Sequence, residues 1–238
     1  MGKTAVISGM FPKFSKRLKD LGFETIELGH YKNQTKNPEA AHPDMQILKI
    51  DRTTMVLLKN NNSANEKITE KLKNTPVEIY YTEEEIGEFN YPDCVKLNVA
   101  VVGKYAIGNF KIGDAKVMRL IEQHGLEPIN VKQGYAKCSS AVVGDSAVIT
   151  SDESIVRGVK GKIDCLKISS GGIALCERYG GFIGGASFLA DKSTLVFMGD
   201  IKAHPDYINI KSFCLGHGVY VESLSADTLR DVGGVVIL

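Results

Sequence analysis

A chain of 238 residues with 29 basic and 28 acidic side chains, a formal net charge of +1, has no bulk charge to draw it to nucleic acid or a membrane surface, so neither partner is expected. It is long enough to bury roughly three quarters of its extended-chain surface as one domain spanning residues 1–238, without disulfide staples. Five cysteines without CxxC spacing, an N-terminus lacking a signal-peptide core, and the absence of any apolar run of about 20 residues predict a reduced, cytoplasmic protein with no membrane span.

In chain order, Thr4–Ser8 reads as a short apolar strand, Phe11–Leu21 as an amphipathic helix with Pro12 in its first turn and Gly22 as its stop, and Glu24–Leu28 as a second strand. The polar stretch His30–Ala41 reads as a surface loop. A hairpin follows, Asp44–Ile50 and Thr53–Leu58 around Asp51-Arg52, then a helix over Asn65–Lys73, a strand over Val77–Tyr81 and an acidic connector, Glu83–Pro92. The plan recurs with Val95–Val102 turning at Gly103-Lys104 into Tyr105–Gly108, a helix over Gly113–His124, and the strand Pro128–Lys132.

A third copy rises from Lys137-Cys138-Ser139, turns at Gly144-Asp145, returns through Ala147–Thr150, opens a helix at Asp152 and ends in the strand Ile163–Ile168. After the loop SSGGIALCERYGG, a fourth runs through Phe182–Leu189, Thr194–Met198, a helix opened by His204-Pro205 and ended near Gly216, and Val219–Leu224. These are ββαβ modules, and the residues closing their second strands (Asn109, Asp152, Asp200) recur at supersecondary spacing. The first module lacks its leading strand, while Val232–Leu238 is a strand without a module. Pairing the two termini supplies the missing piece and predicts an α/β fold, a five-bladed α/β propeller closed on itself.

Five such modules, with the motifs GYAKCS, GFIGGAS, HPD and DVGG, resemble the pentein fold of the guanidino-group-modifying superfamily, and within it a bacterial branch of uncharacterised proteins. That superfamily includes arginine and agmatine deiminases, dimethylargininase, amidinotransferases and a ring-shaped ribosome anti-association factor. The resemblance implies a nucleophilic cysteine in the leading strand of the last module and a histidine at the start of a central one. Here valines follow Gly233-Gly234 where His-Cys would stand, and Tyr135 falls at or near the histidine's place. The usual catalytic pair is missing.

Because hairpin strands run antiparallel, the starts of first strands and the ends of second strands gather at one mouth of such a ring. That collects His42, Asp44, Asn98, Lys137, Cys138, Ser139, Asp152, Gly184–Ser187, Asp200 and Asp231. Converging carboxylates suit a cationic or guanidinium-bearing small molecule, so Asp44, Asn98, Asp152, Ser187, Asp200 and Asp231 are the candidate binding residues. Cys138 is the candidate nucleophile, with Lys137 beside it expected to lower its thiol pKa, and His204 the candidate base. Asp152 and Asp200 equally suit helix caps, and His204 an element start. The other four cysteines read as structural, and no cofactor or metal is expected. The reading is a small-molecule-binding protein with expected hydrolysis of C–N bonds at the pore. The alternative is a non-catalytic ring that binds a macromolecule through its rim.

Overall fold

The computed structural model of the chain describes residues 3–176 and 179–238; Glu177 and Arg178 of the long loop lie outside the described residues. Its elements are β1 (Thr4–Ser8), α1 (Pro12–Asp20), β2 (Glu24–Leu28), α2 (Pro43–Gln46), β3 (Ile47–Lys49), β4 (Thr54–Leu57), α3 (Asn62–Leu72) and β5 (Glu78–Tyr81). There follow β6 (Ala100–Val102), β7 (Tyr105–Gly108), α4 (Ala115–Gln123), β8 (Glu127–Asn130), β9 (Ala141–Val143), β10 (Ala147–Thr150), α5 (Glu153–Val159) and β11 (Asp164–Lys167). The chain ends with β12 (Ser187–Asp191), β13 (Thr194–Phe197), α6 (Tyr207–Gly216), β14 (Tyr220–Ser223) and β15 (Val236–Ile237).

The strands form five three-stranded sheets with one plan: the middle strand pairs antiparallel with its hairpin partner and parallel with the strand that returns after the helix. In the first sheet the antiparallel partner of β1 is β15, in the register Ala5↔Ile237 and Val6↔Val236. The main-chain bond Leu238 N–H to Thr4 O (2.9 Å) and the Lys49 ammonium on Ile237 O (2.8 Å) fasten that strand. The middle strands β1, β4 and β10 are buried along their whole length, which is why they read as unbroken apolar runs.

Five apolar clusters join the sheets in succession. Val6 packs with Met55 and Leu57 of the second sheet, Val56 with Ala106 of the third, and Val102 and Ile107 with Val148 of the fourth. Ala141 and Ile149 then pack with Leu195 and Phe197 of the fifth, and Phe188 and Val196 return to Ala5 and Ile7 of the first. Among the described residues no helix is long and apolar enough to cross a membrane.

The leading strands start later than their sequence suggests. Residues read as strand at Asp44, Val95, Lys137 and Phe182 instead form helical or tight turns. These turns are closed by bonds such as Met45 N–H to His42 O (3.2 Å), Ser139 N–H to Tyr135 O (2.9 Å) and Ala186 N–H to Phe182 O (3.0 Å). The loop His30–Ala41 likewise contains two short 3-10 turns and buries Tyr31.

Candidate functional site

The turns that replace those strand starts meet one another. Asp44 N–H donates to Gly233 O (3.2 Å), and the Asn98 side chain donates to Asp44 O (3.2 Å) while its Oδ1 accepts from the backbone N–H groups of Lys137 (2.8 Å) and Cys138 (3.1 Å). Cys138 O accepts from Gly185 N–H (2.9 Å), and Gly185 O accepts from Val232 (3.0 Å) and Gly234 (2.7 Å). A hydrogen-bonded circuit thus passes through the leading turns of all five sheets and returns to its start. Each link satisfies a backbone group that burial would otherwise leave bare. The crowding explains the glycines. A Cβ on Gly185 would run into the Asp231 carboxylate, and one on Gly184 into the backbone of the 137–140 turn. Gly233 has φ +76° and lies against His42.

Beside this circuit lies a cavity of about 830 Å³, in the size range of small-molecule sites. Its deep end is polar: His42, Cys138 and Asp231 line it and each is at most 2% exposed, with Asp44 immediately behind Cys138. Its walls are aromatic, with Tyr135 stacked between Tyr91 and Phe182 at centroid distances of 6.0 Å on both sides. Glu39 and Lys36 also line it.

Asp231 is held by two backbone donors, Phe182 N–H on Oδ2 (2.8 Å) and Gly233 N–H on Oδ1 (3.0 Å), and its Oδ1 lies 3.8 Å from His42 Nδ1. The Cys138 thiol donates to Asp44 Oδ2 (2.9 Å), and Asn98 Nδ2 donates to the sulfur (3.1 Å). Burial pushes the Asp44 carboxyl up to about 6, with the Asp231 charge adding to the rise while His42, Lys137 and the thiol bond oppose it. Burial, and then the charges of Asp44 and Asp231, hold the Cys138 thiol well above its ordinary range. This overturns the expectation of a thiol lowered by Lys137. Two carboxylates face the sulfur, and they outweigh the lysine, whose ammonium lies toward Gly234.

Asp44, Asn98, Lys137, Cys138 and Asp231 are therefore brought together. The others are not. Asp152 caps α5, its Oδ1 accepting from Ser154 N–H (2.7 Å) and Ile155 N–H (3.0 Å), while its Oδ2 accepts from Gln133 Nε2 (2.8 Å). The hairpin argument that set Lys137 beside it fails because β9 begins only at Ala141 and the chain before it turns inward. Asp200 opens a 3-10 turn, accepting from Lys202 N–H (3.0 Å) and Ser223 Oγ (3.3 Å). Ser187 Oγ donates to Ile183 O (2.9 Å) within its own turn. His204 is buried near the start of α6, its Nδ1 accepting from Asp206 N–H (3.1 Å), and it does not line the cavity.

Sequence reasoning missed Glu39 and the three stacked rings, which carry no spacing signal. It also took Cys94 and Cys176 as structural, whereas both line the cavity. Cys94 lies 3.7 Å from the Tyr135 hydroxyl, and burial pushes its thiol up to about 11. Among the described residues no group of three or more His, Cys, Asp or Glu side chains is arranged to hold a metal ion.

Five sheets of this strand order, with their leading turns gathered around one buried polar cluster, define a protein of the pentein fold. DDAH from Pseudomonas aeruginosa, solved with citrulline, superposes with a TM-score of 0.62 at 9% identity over 100% of both chains. SxtG, an amidinotransferase from Microseira wollei, superposes with a TM-score of 0.56 at 9% identity, covering 97% of this chain and 94% of that one. Over residues 6–236 the sequence matches the family described as "Family of unknown function (DUF6873)", and the chain belongs to that family. No curated protein matches it.

Proposed function

We propose that the five sheets close into a single-domain propeller whose axial cavity binds a small cation, a guanidino or amino-acid-like compound, and hydrolyses one of its C–N bonds with Cys138 as nucleophile. The observation that carries this reading is the polar floor. Asp231 and Cys138 line one buried end of the cavity, and Asp44, whose Oδ1 has no hydrogen-bond partner, lies directly behind Cys138. Buried carboxylates at and just behind the end of a cavity are matched by a ligand that donates hydrogen bonds and carries positive charge. The 2.9 Å bond from the Cys138 thiol to Asp44 gives the thiol proton an acceptor when the sulfur attacks.

The test is thermal unfolding of the full chain with agmatine, L-arginine and simple alkylguanidines, repeated with Asp44→Asn. A ligand present at 100 times its Kd stabilises by about 2.7 kcal/mol, and the variant is expected to lose most of that shift. Equal shifts in both proteins would show that the Asp44 carboxylate behind Cys138 does not hold the cation.

A further inference from the structure

The polar floor occupies only one end of the cavity. At about 830 Å³ the space lies in the upper part of the range that encloses a drug-sized molecule, several times what a bare guanidinium fills. Most of the remaining lining is apolar or aromatic: Phe89, Tyr91, Cys94, Tyr135, Leu175 and Phe182. Of the polar side chains there, Asn37 and Asn90 donate to Phe89 O (2.8 Å) and to the Glu88 carboxylate (2.9 Å), while Lys36 and Glu39 carry opposite charges, so the wall has no net sign. Wall and floor are tied together. Tyr135 begins the turn that carries Cys138, closed by Ser139 N–H on Tyr135 O (2.9 Å), and Phe182 N–H is one of the two donors on Asp231. Tyr91 is seated on Gly134, where a Cβ would meet its ring at 2.5 Å. Stacked between Tyr91 and Phe182, the Tyr135 ring gives its faces to its neighbours and meets the cavity with its edge. A ring edge is the positive end of the aromatic quadrupole: it does not draw a cation, but it packs well against the face of another π-system.

We propose that the ligand of this site is a cation with a flat aromatic body, its charged head on the polar floor and its body against the wall, and that Tyr135 determines the selectivity for that body; this rests on the reading of the cavity as a cation site. The two ends sort the ligand without competing. Asp231 and, behind Cys138, Asp44 attract the head. The edge of Tyr135 takes the face of the body, and the body in turn removes water from the apolar side chains of Phe89 and Leu175. A short alkylguanidine reaches the floor but leaves the wall wetted, so it binds weakly.

The test is isothermal titration of the full chain with three probes: n-propylguanidine, which has the head alone, 3-phenylpropanol, which has the body alone, and 3-phenylpropylguanidine, which has both. Wild type is expected to bind 3-phenylpropylguanidine about tenfold or more tighter than either of the others. Tyr135→Phe, which keeps the ring edge, should preserve that ranking. Tyr135→Leu, checked for an unchanged unfolding temperature, should bring the two guanidines within about threefold of each other by weakening only the phenyl compound. If wild type binds both guanidines equally, the aromatic body is refuted while the cation site stands. If folded Tyr135→Leu still prefers the phenyl compound by tenfold, the body does not lie on this wall and the role of Tyr135 falls. If 3-phenylpropanol binds as tightly as 3-phenylpropylguanidine, or no probe binds, the cation site is refuted and the composite ligand with it. The wild-type ranking needs no variant, so a Tyr135→Leu protein that fails to fold leaves that half of the test intact.

Discussion

Asp44 shows how one buried group ties stability to ligand binding. Its carboxyl rises from 3.8 to about 6, chiefly by burial, so the native state favours the protonated form. The sign follows. Below the unfolded value the group is protonated in both states and costs nothing, and as pH rises through about 6 the fold must hold a buried charge. The rise corresponds to roughly 3 kcal/mol at most. Asp44→Asn, which keeps an oxygen for the Cys138 thiol, is therefore expected to be about 1–3 kcal/mol more stable than wild type at pH 8, and this advantage should vanish toward pH 4. Urea unfolding at the two pH values checks it. A cation in the cavity reverses the balance, because it stabilises the ionised carboxylate. Affinity for a cationic ligand is expected to fall about tenfold between pH 7 and pH 5, and isothermal titration at the two values measures that directly.

At the scale of single elements, the acidic residue before a helix separates a cap from a ligand. Asp152 accepts from two backbone N–H groups at the start of α5, and Asp152→Ala is expected to cost about 1 kcal/mol while leaving cation binding in the cavity unchanged. Titrating the folded variant with the ligand found for wild type checks the second half. Glycines divide the same way. Gly22 has φ +87° but open space around it, so Gly22→Ala should cost about 1–2 kcal/mol, whereas Gly233→Ala adds a collision with His42 and should prevent stable folding. The middle strands, hairpin turns and helices were legible because apolar runs and turn glycines are local signals. The inward turns before the leading strands were not, because what bends residues 135–139 and 182–186 away from β-structure is hydrogen bonding to neighbouring turns distant in sequence. That is also why Cys138, Asn98, Asp44 and Asp231 could be placed in one cluster, while Asp152 and Asp200 were drawn in with them by a strand geometry that the chain abandons.

For the whole molecule, the decisive contact is between its ends. The break between β15 and β1 falls where every other sheet has a hairpin turn, since Leu238 N–H already bonds to Thr4 O. The termini therefore interrupt one of five equivalent connections, and the position of that interruption should matter little to stability. A permutant joining residue 238 to residue 3 through a short glycine-containing turn, and opened in the exposed turn at Lys192-Ser193, keeps every sheet pairing and the hydrogen-bonded circuit of leading turns. It is expected to unfold within a few degrees of wild type and to retain cation binding. Deleting residues 235–238 instead removes four half-buried side chains and the antiparallel partner of β1. That should cost about 3–5 kcal/mol and leave a sheet edge open to association. Thermal unfolding with light scattering distinguishes the two constructions. A permutant as damaged as the truncation would mean that continuity of the first and last modules through their present ends, rather than the pairing of β15 with β1, holds the fold together.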